Sequence, residues 1–334
     1  MRSVTAPTRP FRTVSRSIRR RGLAAAIIGA ALLVLGSTSA CGGESDGTGA
    51  SVPSTPSTST PPTTLGTGDG TTTMRTEVFT DPSRPTGDTP GRSLPTDIYV
   101  PGGTGPFPMI VHAHGLAGNS GKFSQLLSAW SEAGYVVVAP NFPLTSDAIP
   151  AEQRQVGDIV QQPADLRFVT DQVLEMSRPG GDLAGLIDPE RLGISGLSLG
   201  GATTYAKLFH PCCVDERFRS AVIMSAFLYP QPGGEFAFDR EFPVLVFAGT
   251  ADTAIPYQAQ LDAAAKLQGP TWTVTLDEGN HSWPFENTPS PHDQVVVDTS
   301  IAFWDGTLRD DPTALERILT TADVPGVSSV VVGG

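Results

Sequence analysis

Cysteine is scarce: the 334-residue chain has three, and two of them, Cys212 and Cys213, are adjacent. That excludes a disulfide-stapled scaffold. Neighbouring Cα atoms lie about 3.8 Å apart, short of the roughly 4.4–6.8 Å of a relaxed disulfide. The pair therefore reads as two packed thiols or as a strained vicinal disulfide. Histidine is nearly as rare, with five residues, so chemistry that needs an imidazole has few places to find one. Basic charge is thin and unevenly placed. Seven of the 22 Lys+Arg fall in residues 1–40, which contain no acid, leaving 15 against 34 Asp+Glu, a net charge of −19. A body so acidic repels phosphate backbones, which excludes nucleic acid as a partner. The apolar run Leu23–Gly36 has 14 residues, where a membrane span needs about 20.

What is present at the start resembles an export signal. Arginines end at Arg19-Arg20-Arg21, the apolar run follows, and Ser37-Thr38-Ser39-Ala40 leads into Cys41. Residues 1–40 are expected to be a signal peptide, with a short membrane anchor as the alternative. Cys41, preceded by small residues and followed by Gly42-Gly43, resembles the lipid-attachment cysteine of bacterial lipoproteins, although Thr38 stands where that pattern prefers Leu. The expected location is the outer face of the cell membrane, touched only through a lipid at Cys41. Plain secretion as a soluble protein is the alternative. Residues 41–73 are nearly all Gly, Ser, Thr, Pro and Asp and have too little to bury to offset ordering entropy, so they are expected to be a flexible tether.

From about Met74 to 309 the chain alternates short apolar runs with longer amphipathic stretches. Met109–Ala113, Tyr135–Ala139 and Val244–Ala248 are apolar on successive residues, the signature of strands buried on both faces. Further strands are expected at 97–100, 192–195, 220–225 and 271–276, with helices at 122–133, 164–177, 199–209, 257–268 and 292–305. This is one α/β domain with a mostly parallel sheet and helices on both faces. Residues 310–334 read as a short helix followed by an apolar tail.

Gly196-Leu197-Ser198-Leu199-Gly200 sits between an expected strand and an expected helix. A G-x-S-x-G match alone is cheap in a Gly-rich chain, but a sharp strand-to-helix turn exposes the serine Oγ as a nucleophile. Serine needs a base to take its proton. His281, in the loop after the strand at 271–276, fits best, and Asp252, in the loop after Val244–Ala248, is placed to hold its imidazole. Asp277 and Glu278 are rival acids that precede His281 too closely. The backbone N–H groups of Leu199 and Leu116, the latter in His112-Ala-His114-Gly115-Leu116, are the expected oxyanion donors. His112 and His114 alternate on one expected sheet face and are read as bracing that loop, with a metal pair disfavoured. His292 opens a helix and reads as a surface or capping residue.

The order His114-Gly115, Gly196–Gly200, Gly249–Asp252 and Asn280-His281-Ser282 resembles the α/β-hydrolases, over about 95–305. Within them the chain looks most like the branch of dienelactone-hydrolase-like proteins, bacterial cutinases and polyester (PET) hydrolases. The resemblance implies a serine-dependent carboxylic ester hydrolase, without cofactor or metal, acting on a small-molecule, lipid or polymeric ester. Dienelactone hydrolases proper carry a cysteine at the place of Ser198. Polyester hydrolases usually carry an aromatic where Leu116 stands and an aromatic or His where Leu197 stands. Phe227 and Trp283 are candidate pocket residues; for these and Phe285, core packing is the alternative. A peptidase or amidase, or an inactive binding protein on the same scaffold, are the rival functions.

Overall fold

The computed structural model describes residues 64–334. The expected signal peptide, Cys41 and the tether up to residue 63 lie outside the described residues. Part of the stretch assigned to the tether belongs to the domain. Gly66 N–H donates to Pro106 O (2.8 Å), Arg309 Nη1 donates to Gly66 O (2.8 Å), and β1 already begins at Thr72.

Nine strands form one sheet: β1 (Thr72–Asp81), β2 (Arg92–Pro101), β3 (Phe107–Ala113), β4 (Val136–Pro140), β5 (Ile187–Leu197), β6 (Phe218–Met224), β7 (Val244–Gly249), β8 (Thr271–Leu276) and β9 (Ser328–Gly333). Their order is β1-β2-β4-β3-β5-β6-β7-β8-β9. The six strands from β4 to β8 are parallel, while β1, β2 and β9 run antiparallel to their neighbours. The strands β3, β4 and β7 are buried along their whole length, which is why their sequences do not alternate.

Helices cover both faces. On one side α2 (Gln162–Met176), α3 (Leu199–Phe209) and α4 (Tyr257–Ala264) pack Leu166, Val169, Tyr205, Leu208 and Ala263 onto Val111, Val138, Ile194 and Val246. On the other, α1 (Ser124–Glu132), α5 (Asp293–Leu308) and α6 (Pro312–Thr321) pack Trp130, Phe303, Trp304 and Ile318 onto Ile110, Val137, Leu245 and Val274. This is the α/β-hydrolase fold. No helix among the described residues is long and apolar enough to cross a membrane.

Two expectations need correction. The tail after α6 is no free end: β9 pairs with β8 from Thr271↔Gly333 to Leu276↔Ser328 and forms the sheet edge. His112 and His114 do not share a face. His112 lies 4.4 Å from the Phe123 ring and His114 4.9 Å from that of Phe142, and those two rings belong to opposite cores. β3 ends at Ala113, so strand alternation no longer governs residue 114. Cys212 and Cys213 form a vicinal disulfide after α3.

Candidate active site

The parallel strands deliver their C-terminal ends, and the loops that follow them, to one edge of the sheet, where open α/β sheets bind ligands. Ser198 stands between β5 and α3 with φ 56° and ψ −115°, a left-handed conformation that costs a non-glycine residue on the order of 1–3 kcal/mol. The surroundings enforce it: Ser198 N–H is held by Met224 O at 2.9 Å, and a Cβ at Gly200 would run into Ala113 O. The turn therefore needs glycine at 200 for close approach of strand and helix.

Asp252 follows β7 and His281 follows β8. Ser198 Oγ lies 2.8 Å from His281 Nε2, and His281 Nδ1 lies 2.7 Å from Asp252 Oδ2. With Nδ1–H donating to the carboxylate, Nε2 is free to accept the serine proton. The rival acids do not approach the imidazole in this way. Asp277 offers its backbone carbonyl to His292 (2.7 Å), and Glu278 N–H is taken up by Thr250 Oγ1 (2.9 Å). Asp252 is buried, which opposes its charged form. The hydrogen bond from His281 and the amides of Ile255 and Ala254 outweigh this and hold its carboxyl below the usual range. Sequence reasoning missed Gln260, buried on α4, whose Nε2 donates to Asp252 Oδ2 (2.9 Å) and to Ile255 O (2.8 Å). No local pattern marks it, because the contact spans a turn and a helix start.

Leu199 follows the serine in the chain, and Gly115, the neighbour of Leu116, packs against it so closely that a Cβ would sit 3.2 Å from Ser198 Cβ. Neither Leu116 N–H nor Leu199 N–H donates to a backbone carbonyl among the described residues, as the expected oxyanion role requires. The loop that carries Leu116 is held at three points. His114 Nδ1–H donates to Gly115 O (2.7 Å) while its Nε2 accepts Phe142 N–H (3.0 Å). Ala117 N–H donates to Thr145 O (2.7 Å), and Lys122 Nζ donates to Ala117 O (2.6 Å). His112 takes no part: its Nδ1 pairs with Ser195 Oγ on β5 (2.9 Å). Burial lowers His112 to about 3 and His114 to about 4, so both are neutral near pH 7.

Asn287, also missed, ties the His281 loop to the start of α1. Its Nδ2 donates to Gly121 O (2.7 Å) and Ser124 Oγ (2.8 Å), and its Oδ1 accepts Gln125 N–H (3.0 Å). His292 is buried rather than on the surface. It is the N-cap residue of α5 and braces the same loop through Asp277 O.

The candidate pocket residues separate. Phe227 is half-buried and packs with Tyr229 and Val160 against Ile159, Leu199 and Ala202, forming an apolar wall beside the helix that Ser198 opens. Trp283 is 57% exposed, as Leu116 is 43% exposed. Phe285 is core, 6.1 Å from the Phe247 ring. Among the described residues one metal-ligating cluster stands out, His210 with Cys212 and Cys213, but both sulfurs are joined to each other and it lies at the opposite end of α3 from Ser198.

Comparison with known proteins agrees with the architecture. The family model described as Chlorophyllase matches residues 68–224. That range includes Ser198 and ends before Asp252 and His281. The chain is 25% identical over 200 residues to an uncharacterized protein, YfhR, of Salmonella typhimurium, across 52% of this chain and 63% of that protein. The chain thus spans less than two thirds of that relative. Fold and comparison meet at one level, the α/β-hydrolase superfamily.

Proposed function

We propose that the protein is a serine-dependent carboxylic ester hydrolase. The observation that carries the reading is the unbroken hydrogen-bond chain Ser198 Oγ–His281–Asp252, at 2.8 and 2.7 Å, on a strained strand-to-helix turn. The similarity to a chlorophyllase family over the part that holds Ser198 supports an ester substrate.

Ser198 Oγ attacks the ester carbonyl carbon as His281 Nε2 takes its proton. The carbonyl oxygen becomes an oxyanion that accepts from Leu116 N–H and Leu199 N–H, the latter at the positive end of α3. Asp252, already charged, stabilises the imidazolium without taking its proton. Collapse breaks the C–O bond, and His281 returns the proton to the departing alcohol. Water, deprotonated by His281, then cleaves the acyl-enzyme by the same steps in reverse. The reading needs no cofactor.

The substrate class is a small-molecule, lipid or polymeric ester. Phe227 and Tyr229 form an apolar side for the acyl or alcohol part, with Trp283 as a second, exposed contact. Similarity to the cutinase and polyester-hydrolase branch belongs to this proposal, as do export and lipid attachment at Cys41. Mass spectrometry of the membrane fraction tests the last.

Wild-type protein should turn over p-nitrophenyl acetate and be labelled by a fluorophosphonate. Both activities should vanish in Ser198→Ala, and turnover should vanish in His281→Ala. Undiminished labelling of Ser198→Ala would remove the assignment.

A further inference from the structure

Three segments must keep register for Leu116 and Leu199 to point at one oxyanion: the loop after β3, the loop after β4, and α3. A single buried side chain joins the last two, and the loop after β4 holds the first. Gln162, at the start of α2, donates from Nε2 to Thr145 Oγ1 (2.9 Å) and accepts at Oε1 from Thr203 Oγ1 (2.6 Å). Gln162, Thr145 and Thr203 are each fully buried. Thr145 is also the residue whose carbonyl accepts Ala117 N–H at 2.7 Å, one residue from the Leu116 donor. Thr203 lies one helical turn after Leu199, whose carbonyl is 3.1 Å from its hydroxyl. A continuous line thus runs Leu116–Ala117–Thr145–Gln162–Thr203–Leu199, from one candidate oxyanion donor to the other.

We propose that Gln162 is a positioning residue, one that sets the separation of the two oxyanion donors by bridging Thr145 to Thr203. The proposal rests on the esterase reading above. The chemistry favours a carboxamide. One end must donate and the other accept, in a site where a bare polar group is costly and a charge costlier. The position is also anchored from behind. Asp158, four residues earlier, forms a two-pronged pair with the buried guanidinium of Arg92 (3.0 and 2.7 Å), which grips Asp165 as well (2.6 and 2.7 Å). The first turn of α2 is therefore tied to β2, and the bridge connects it to the segments that carry both donors. Such support matters because donor placement is felt in the transition state more than in substrate binding.

The test uses Gln162→Met, which keeps length and removes both hydrogen bonds, and Thr203→Val, which removes one with little change of shape. Active sites are counted by stoichiometric fluorophosphonate reaction, so that misfolded protein does not enter kcat. Losing a whole oxyanion donor typically costs about 10²–10³ in rate. Misplacing a pair should cost about 10-fold to 100-fold in kcat, with KM within about twofold. A trifluoromethyl ketone, which forms a tetrahedral oxyanion adduct, should lose affinity by a similar factor. Gln162→Met combined with Thr203→Val should lose little more than Gln162→Met alone, since both break one bridge. In wild-type protein the Ala117 amide should be protected from hydrogen exchange, and Gln162→Met should release it. Unchanged kcat and inhibitor affinity per active site, with only lowered stability, would overturn the proposal. If the wild type hydrolyses no ester, the esterase reading falls. The bridge is then judged on exchange alone, and Ala117 protection that survives Gln162→Met overturns it too.

Discussion

At the scale of single residues, Asp252 shows how a carboxylate is kept ready. It is buried, yet Ala254 N–H, Ile255 N–H, Gln260 Nε2 and His281 Nδ1 all donate to it. These donors favour the charged carboxylate, and a charged acceptor favours the tautomer with the proton on His281 Nδ1. Asp252→Asn replaces one acceptor edge by an NH₂ that can donate, which favours the wrong histidine tautomer. On the proposed mechanism it should lower kcat by about 10⁴ near pH 7 while leaving the fold intact. A fall smaller than tenfold would mean that His281 does not depend on this tautomer. That Ser198, Asp252 and His281 come together could be read from sequence, because each follows a buried strand and their chain order restricts the choice. Gln260, Gln162 and Asn287 could not: each hydrogen-bonds across elements with no fixed spacing, and an amide side chain carries no local signal.

Among elements, the strands buried on both faces were legible and the edges were not. β3, β4 and β7 are runs of apolar residues that no exposed element could carry. β1, Thr72–Asp81, alternates Met74 and Val78, both exposed, with Arg75 and Glu77, and its role as an edge comes from pairing with β2. β9 is similar, since Val331 and Val332 remain more than half exposed, so its apolar pattern reported no burial. The Arg92 cluster makes the case energetically. Arg92 on β2, Asp158 before α2 and Asp165 within it form a desolvated ion group joined by Arg84 (2.7 Å to Asp165). Arg92→Met should cost about 3–5 kcal/mol, because two buried carboxylates lose their main counterion. Replacing Asp158 and Asp165 by Leu and Asn in the same chain should recover part of that loss, because fewer unpaired charges remain. Urea denaturation midpoints measure both, and a cost under about 1 kcal/mol for Arg92→Met would show that the group is better hydrated than its burial implies.

For the whole molecule, pH acts on stability through groups that the native fold keeps neutral. His112 and His114 are fully enclosed, and burial lowers them to about 3 and about 4; in His112 the neighbouring His114 adds to this. In the unfolded chain both titrate near 6.5. Between about pH 6.5 and pH 4 the unfolded state therefore binds protons that the native state refuses, and stability must fall as pH falls. Each histidine contributes a slope approaching 1.4 kcal/mol per pH unit well below 6.5, so the pair removes about 4 kcal/mol by pH 5. That is a large share of the 5–15 kcal/mol typical of a domain. The lowered carboxyls act in a different window. Asp252 and Asp215 are held below 3.8, so their contribution is present above that value and is lost only at more acidic pH. The two effects can be separated by a variant. His112→Gln keeps a polar partner for Ser195 Oγ and removes one titrating group, so it should remove about half of the histidine contribution to the slope of unfolding free energy between pH 6.5 and 4. It should leave in place the loss below about pH 3.8 that comes from the lowered carboxyls. An unchanged slope would mean that His112 accepts a proton in the native fold, at odds with a fully buried ring packed against Phe123 and Trp130.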